Sequence, residues 1–265
     1  MSSEKFVTHI RSAKLVIDTE FELQIGVYGP DFWNGIAAGQ YEQDTFDFLD
    51  SRALNGSRVL VDVGSATGCM VLYAASLGMQ AIGTEPQNLV FESLRRNVEL
   101  NPSVGGRIQI HHALVGIHSL DDSKTDKLFT SGAHGPLKKE IVPTQISLKN
   151  LIEPFEVDDN ISIKIDIEGA EYYLLSEKET LQVLKSKEAT VFLSFHPGFN
   201  RNLGSNPSFA KLTVWRIATL IETIFFVLRI QKFASFSNLR SERKLSLFTV
   251  IALLVKDQKD FVITF

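Results

Sequence analysis

Residues 60–87 read "LVDVGSATGCMVLYAASLGMQAIGTEPQ". The stretch predicts an apolar strand, a turn with glycines at positions 64 and 68, a short apolar helix that ends at Gly78, and a second strand that ends at Glu85. A continuous apolar run before a glycine is typical of a strand that is buried on both faces of a sheet. This order of elements predicts the start of a parallel sheet whose first turn faces a ligand.

Strands and helices alternate on both sides of this stretch. Residues 14–29 alternate apolar and polar side chains, which predicts a strand or hairpin, and residues 40–54 have the spacing of a helix. The helix after Glu85 has to end by Asn101, because Pro102 follows. We predict further strands at residues 106–116, 161–168 and 189–197, helices at residues 169–184 and 212–230, and a closing pair of strands at residues 245–255 and 260–265. The pattern indicates an α/β fold in which helices cover both faces of a mostly parallel sheet.

The alternation of strands and helices becomes regular near residue 57, which predicts that the chain consists of two parts. Residues 1–56 are expected to form a small N-terminal appendage, a strand or hairpin and a helix, packed on the core, and residues 57–265 the main domain. Residues 117–142 are polar and interrupt the alternation. Long loops of this kind are either mobile or functional, so a mobile loop and a flap over the substrate remain equally open.

Composition excludes several classes of function. A net charge of -4 gives no basic surface for nucleic acid, so we expect no nucleic-acid partner. Cys69 is the one cysteine, which excludes an internal disulfide and a cysteine-based zinc site and fits a reducing, cytoplasmic compartment. The N-terminus lacks the apolar core of a secretory signal. The apolar residues 212–230 carry three charges, which argues for a buried amphipathic helix and against a membrane span.

The turn at residues 64–68 and Glu85 suggest a pocket for a nucleoside cofactor. The turn departs from the dinucleotide pattern G-x-G-x-x-G, because Ala66 and Cys69 replace its second and third glycines. A tight strand-to-helix turn without a ligand is the alternative interpretation. Glu85 follows Gly64 by about twenty residues, where a carboxylate accepts hydrogen bonds from both ribose hydroxyls. Its alternative role is to cap the next helix.

Four motifs occur in an order that resembles a known family. They are "VDVGSATG" at residues 61–68, "GTEPQ" at 83–87, "HHALVG" at 111–116 and "IKIDIEGAE" at 163–171. Residues 41–197 resemble the FkbM-type family of class I S-adenosylmethionine-dependent methyltransferases. The resemblance implies the Rossmann-like class I fold, with a seven-stranded sheet whose last strand is antiparallel.

The resemblance also implies roles for individual residues in binding S-adenosylmethionine. It places the methionine and ribose part of the cofactor against Asp62, Gly64, Ala66 and Gly68, the ribose on Glu85, and the adenine near His112 and Ala113. Glu42, in the motif "YE", is implied to face the cofactor's amino group. An equally weighted alternative is that Glu42 only anchors the N-terminal helix.

Three further side chains are predicted to form the reacting end of the site. Asp166 and Glu168 point to the same side if the strand persists, and His196 ends the strand that we expect beside theirs. An imidazole steadied by a carboxylate suits removal of a hydroxyl proton during methyl transfer. Two alternatives stay open: a divalent metal ion held by all three side chains, and a histidine that only caps a loop.

The sequence therefore predicts methylation of a hydroxyl group on a sugar, a glycan or a secondary metabolite, with a small-molecule or glycan acceptor as the partner. One rival is a nicotinamide-dependent oxidoreductase with a similar sheet. The other is a non-catalytic protein that binds the cofactor or serves as a scaffold. The oligomeric state cannot be inferred from the sequence.

Overall fold

The computed structural model describes residues 5–116, 143–167, 170–195, 220–221, 223–237, 244–255 and 260–265. The predicted loop at residues 117–142 lies outside these ranges, and so do two predicted catalytic residues, Glu168 and His196.

Short strands make up the framework of the described chain. They are β1 (Phe6–Ile10), β2 (Ala13–Ile17), β3 (Val59–Val63), β4 (Gln80–Thr84), β5 (Ile108–His111), β6 (Ala113–Val115), β7 (Thr144–Ile146), β8 (Ser162–Ile165), β9 (Thr190–Ser194), β10 (Ser235–Ser237) and β11 (Asp260–Thr264).

Helices connect these strands. They are α1 (Thr19–Ile25), α2 (Pro30–Ala37), α3 (Gln43–Leu54), α4 (Cys69–Ser76), α5 (Asn88–Glu99) and α6 (Pro102–Gly105), followed by Leu148–Ile152, a 3₁₀ turn at Val157–Asp159, Glu171–Leu174, Lys178–Ser186 and Leu247–Val255. Residues 223–230 are also helical. In the described ranges, no helix combines the length and the apolarity that a bilayer crossing requires.

The central sheet confirms the predicted class I, Rossmann-like fold. Its seven strands lie in the order β10-β11-β9-β8-β3-β4-β5. Strands β9, β8, β3, β4 and β5 pair in parallel, whereas β11 is antiparallel to both of its neighbours. Strand β8, which Asp166 follows, therefore lies beside β9, which precedes His196 in the chain, as predicted. The carboxyl ends of β3, β4 and β8 meet at one edge of the sheet, where open α/β sheets bind ligands.

The side chains of β3 show how the sheet separates two apolar clusters. Val59, Val61 and Val63 pack into one cluster, together with apolar residues of β8 and β9. Leu60 packs into the other, together with α4 and the N-terminal hairpin. Successive side chains of a strand point to opposite faces, so Asp62 shares the face of Leu60.

The C-terminal prediction was wrong at residues 245–255. The apolar run there forms the helix Leu247–Val255, and β11 pairs with β10 instead. A short run that is apolar throughout has the same appearance in a buried strand and in a packed helix, so periodicity cannot distinguish them. The helix buries Val250 on the core and leaves Phe248 83% exposed.

Other predicted elements exist with different boundaries. The third strand is interrupted at His112, after which β6 pairs with β7 in a separate two-stranded sheet. The strand predicted to reach residue 168 ends at Ile165, and the one predicted for residues 189–197 covers only 190–194. The helix predicted for residues 169–184 is divided in two. In the N-terminal segment, β1 and β2 form a hairpin, and residues 19–25 of the predicted strand region are helical.

A buried carboxylate joins the N-terminal segment to the core. Glu22 is fully buried and accepts hydrogen bonds from the Trp33 indole N–H at 2.8 Å and the Asn97 amide at 3.2 Å. The same amide donates to the carbonyl oxygen of Thr67, in the turn that follows β3. Residues 19–37 are thereby connected to the turn through α5.

Replacing Glu22 with Ala should lower the free energy of unfolding by about 2–4 kcal/mol, because the buried donors of Trp33 and Asn97 lose their acceptor. Glu20, in the same helix, is exposed and provides the matched control. Glu20→Ala should change the stability by less than about 0.5 kcal/mol. Urea denaturation measures both values, and equal losses for the two variants would contradict the structural role of Glu22.

Candidate functional site

A cavity opens at the carboxyl edge of the sheet, where the sequence predicts a ligand. It encloses about 1310 Å³ of free space, its open mouth included. Its wall is formed by the turn after β3, the end of β4, strand β6, the residues after β8, and the N-terminal segment. Seven of the predicted site residues line this cavity together, namely Glu42, Asp62, Gly64, Ala66, Glu85, Ala113 and Asp166, with Glu42 contributed by the N-terminal segment.

The two glycines of the turn serve contacts within the protein. Gly64 has a φ of +85°, and a Cβ atom there would lie 2.4 Å from the carbonyl oxygen of Asp166. Gly68 has a φ of +97°, and a Cβ atom there would lie 2.5 Å from the side chain of Leu94 in α5. Gly64 therefore allows the ends of β3 and β8 to approach closely. Gly68, which is not part of the cavity wall, allows the turn to pack on α5.

Glu85 fastens the turn to the end of β4 and also faces the cavity. Its carboxylate accepts hydrogen bonds from the backbone N–H groups of Ala66 at 3.2 Å and Gln87 at 2.8 Å. Gln87 directly precedes α5, so Glu85 does contribute to the start of that helix. Because this carboxylate also lines the cavity, it is a charged acceptor for the hydroxyl donors of a ligand. Ala66 has a φ of +47°, a left-handed conformation that costs a non-glycine residue about 1–2 kcal/mol.

Lys164 places an ammonium group between two carboxylates of the cavity. It lies on β8 directly opposite Asp62 on β3. Its Nζ atom is 3.8 Å from Asp62 Oδ1 and donates a hydrogen bond to Asp166 Oδ2 at 3.3 Å. Burial acts to lower the pKa of Lys164, but Asp166 and Asp62 outweigh this effect and raise it above the usual value of lysine. The ammonium therefore stays charged.

Asp62 is almost completely buried, and its Oδ1 atom has no hydrogen-bond partner within the described residues. Burial raises the pKa of Asp62 to about 6, against the attraction of Lys164. An orphaned buried oxygen in a cavity wall is unusual, because buried polar atoms normally have a partner. It fits a ligand that brings its own donor.

The N-terminal segment closes one side of the cavity. Tyr28 and Phe32 line it, with their rings stacked at a centroid distance of 4.0 Å. Burial raises the pKa of Tyr28 above its usual value, so the phenol stays neutral. Glu42 precedes α3 with a φ of +59°, and its carboxylate accepts a hydrogen bond from the Thr45 hydroxyl at 2.7 Å. Glu42 thus anchors α3 and lines the cavity, so both sequence interpretations remain open.

The two residues predicted near adenine lie differently. Ala113, in β6, lines the cavity. His112 is outside the cavity wall: its Nε2 atom is 3.0 Å from the carbonyl oxygen of Pro86, and its ring stacks on Phe91 at 5.1 Å. In this position His112 fixes the loop after β4.

A smaller polar cavity adjoins the first and shares Glu42 and Asp166 with it. Asp44, Ser194 and Asp260 are also part of its wall. Burial raises the pKa of Asp260, and the carboxylates of Asp166 and Glu42 act in the same direction. Across the ranges described by the structure, no three carboxylate, histidine or cysteine side chains are arranged to hold a metal ion.

The described wall of the main cavity is acidic. It carries the carboxylates of Glu42, Asp62, Glu85 and Asp166 and, among the described residues, the single ammonium of Lys164. Such a lining favours a positively charged ligand over an anionic one such as a pyrophosphate.

Sequence reasoning missed Lys164, Tyr28 and Phe32. A signal existed for Lys164, because a charged residue in the mostly apolar stretch "ISIKI" requires a partner when the strand is buried. No comparable signal exists for Tyr28 and Phe32, which reach the cavity only through the packing of the N-terminal segment.

Comparison with known proteins identifies one family. Over residues 62–215, more than half of the chain, the sequence matches the profile described as "Methyltransferase FkbM domain". No curated protein sequence matches the chain significantly.

Several solved structures resemble the chain at low identity. WbdD is 15% identical over 89% of this chain and 43% of its own, with a TM-score of 0.45. A putative O-methyltransferase from Klebsiella pneumoniae is 14% identical over 93% of this chain and 86% of its own, with a TM-score of 0.41. Cofactor-bound Rv0187 from MTB is 13% identical over 84% of this chain and 78% of its own, with a TM-score of 0.38. The chain thus spans less than half the length of WbdD.

Proposed function

The chain belongs to the family of FkbM methyltransferase domains, and on this premise we propose that it transfers a methyl group from S-adenosylmethionine to a hydroxyl group. The observation that carries the proposal is the acid-lined cavity at the carboxyl edge of the sheet, to whose wall Asp62 contributes a buried Oδ1 atom that has no hydrogen-bond partner among the described residues.

The residues of the cavity fit this cofactor. S-adenosylmethionine supplies an activated methyl group on a sulfonium, and it also carries an ammonium and a ribose diol. Glu85 lines the cavity with a carboxylate, a charged acceptor of the kind that ribose hydroxyls bind. Asp62 offers the ammonium an oxygen that has no hydrogen-bond partner in the described part of the chain, and the excess of carboxylates suits a cation. Tyr28 and Phe32 add a stacked pair of aromatic rings to the wall of the cavity.

We propose a polyhydroxylated acceptor, such as a sugar, a glycan or a secondary metabolite. The smaller cavity supports this proposal, because its wall offers acceptors such as Asp44 and Asp260 for several hydroxyl donors, and it meets the main cavity at Asp166. Asp166 is thus placed to receive the proton of a hydroxyl group, or to steady a histidine that receives it.

Calorimetric titration tests the cofactor. S-adenosylhomocysteine should bind the purified chain at one site, and NADH should not bind. Binding of NADH without binding of S-adenosylhomocysteine would replace the proposal with the oxidoreductase alternative. Incubation of S-adenosylmethionine with a panel of hydroxylated acceptors then tests transfer, read as formation of S-adenosylhomocysteine. Activity that EDTA abolishes and Mg²⁺ or Mn²⁺ restores would favour a metal-assisted reaction.

Replacing Glu85 with Gln should weaken binding of S-adenosylhomocysteine by about 1–3 kcal/mol, because an amide offers one acceptor oxygen where the carboxylate offers two charged ones. Glu99→Gln, on the exposed side of α5, is the control and should leave the affinity unchanged. Titration calorimetry measures both affinities. An unchanged affinity of the Glu85 variant would remove this residue from ribose binding.

A further inference from the structure

A buried ion pair crosses two neighbouring strands below the cavity. Asp62 on β3 and Lys164 on β8 are direct neighbours in the parallel register. The side chains are 1% and 7% exposed, and 3.8 Å separates Asp62 Oδ1 from the ammonium nitrogen. This distance brings the charges close without forming a hydrogen bond. Both residues form part of the cavity wall.

The ion pair is incomplete on the side of the carboxylate. Asp62 Oδ1 has no hydrogen-bond partner in the described structure, whereas Lys164 donates to Asp166. Removal of a charged group from water costs several kcal/mol, which attraction to one imperfectly placed partner does not fully offset. A carboxylate in this state gains most when a ligand adds a charged donor to its free oxygen.

We propose that Lys164 is a positioning residue that keeps Asp62 ionised, so that Asp62 can bind the α-ammonium group of the cofactor. This inference rests on the proposed use of S-adenosylmethionine. It assigns Lys164 a role through Asp62 rather than through contact with the transferred methyl group.

The charged groups around Asp62 determine the sign of the effect. Burial raises the pKa of Asp62 to about 6, Lys164 lowers it, and Asp166 and Glu42 raise it, while the Ser65 hydroxyl acts in the same direction as Lys164. The carboxylates of Asp166 and Glu42 stay in place when Lys164 is removed, so the pKa of Asp62 has to rise. A protonated Asp62 no longer attracts an ammonium group. The affinity for the cofactor should therefore fall as the pH falls through the pKa of Asp62. In a chain without Lys164, the same loss of affinity should occur at a higher pH.

The test is the pH dependence of binding of S-adenosylhomocysteine, which has the same α-ammonium group. Titration calorimetry between pH 5 and pH 7.5 keeps the ligand's α-ammonium group protonated, because the neighbouring free carboxylate raises its pKa above the value of about 7.7–8.0 of a peptide N-terminus. For the natural chain, the affinity should be constant near pH 7.5 and fall below about pH 6, by tenfold per pH unit at most. For Lys164→Met, the fall should begin at least about one pH unit higher, so that the affinity at pH 6.5 is at least about threefold lower than in the natural chain.

Three further variants complete the experiment. Lys164→Arg keeps the charge and should keep the pH profile of the natural chain. Asp62→Asn should bind weakly and without pH dependence in this range, which also tests the inference if Lys164→Met does not fold. Lys149→Met removes a half-exposed ammonium that pairs with Glu179 outside the walls of both cavities, and should leave the profile unchanged.

The outcomes separate this inference from the proposed function. If the natural chain binds no S-adenosylhomocysteine, the proposed function fails. If S-adenosylhomocysteine binds the natural chain and Lys164→Met with the same pH profile, the proposed function stands and the role of Lys164 is overturned. The same conclusion follows if the natural chain loses no affinity down to pH 5.

Discussion

Replacing Asp166 with Asn should lower the rate of methyl transfer by about 10²–10⁴-fold, the range expected when a general base or its carboxylate partner is lost. Asp166 follows β8 at the edge where both cavities meet, and Lys164 holds its carboxylate in place. The amide has nearly the same shape but cannot accept a proton. The rate is measured under single turnover, with the acceptor that the panel identifies.

The binding of S-adenosylhomocysteine provides the internal control for Asp166→Asn, and it should change by less than about threefold, since the expected role of Asp166 is proton transfer. His196→Ala and the double variant distinguish the two roles of the carboxylate. If Asp166 steadies His196, the losses should not add, because the two residues act as one unit. A turnover of Asp166→Asn within threefold of the natural chain would exclude Asp166 from the reaction.

Replacing Gly64 with Ala should lower the free energy of unfolding by about 3 kcal/mol or more. A positive φ costs alanine about 1 kcal/mol or more, and its Cβ atom would lie 2.4 Å from a backbone carbonyl oxygen, which cannot move aside as a flexible side chain can. The ends of β3 and β8 have to separate to accommodate it. Because Asp62 and Asp166 lie on these two ends, binding of S-adenosylhomocysteine should weaken as well.

Gly78 offers a matched control for this prediction. It has a φ of +92°, and a Cβ atom there meets nothing within 4 Å. Gly78→Ala therefore carries the backbone cost alone, about 1–2 kcal/mol. Guanidinium denaturation measures both variants. Equal losses would show that the contact between Gly64 and Asp166 contributes nothing, and that the two strand ends are free to move apart.

The sheet was predictable from the sequence because its central strands are buried on both faces. Strands such as β3 are apolar at nearly every position, and the glycine after β3 marks where it ends. The same reasoning failed at residues 245–255, where the apolar side chains belong to a helix on the core. Strand boundaries also depend on the pairing partner, so β8 ends at Ile165 although the apolar pattern continues to Ile167.

The candidate site was predictable where it depends on one motif and its place in the sheet. The turn after β3, Glu85 and Asp166 meet at one edge because the carboxyl ends of parallel strands do so. Tyr28 and Phe32 could not be predicted, since the buried contacts of Glu22 with Trp33 and Asn97 determine where their segment packs. Lys164 could have been predicted, because a charged residue in a buried strand needs a carboxylate on the neighbouring strand.

A crystal structure of the chain with S-adenosylhomocysteine tests the central claim most directly. The account predicts that the ligand occupies the cavity at the carboxyl edge, with its ribose hydroxyls within hydrogen-bond distance of Glu85 and its ammonium on Asp62. A ligand bound elsewhere, or one whose ribose lies away from Glu85 while Asp62 Oδ1 keeps no partner, would contradict it.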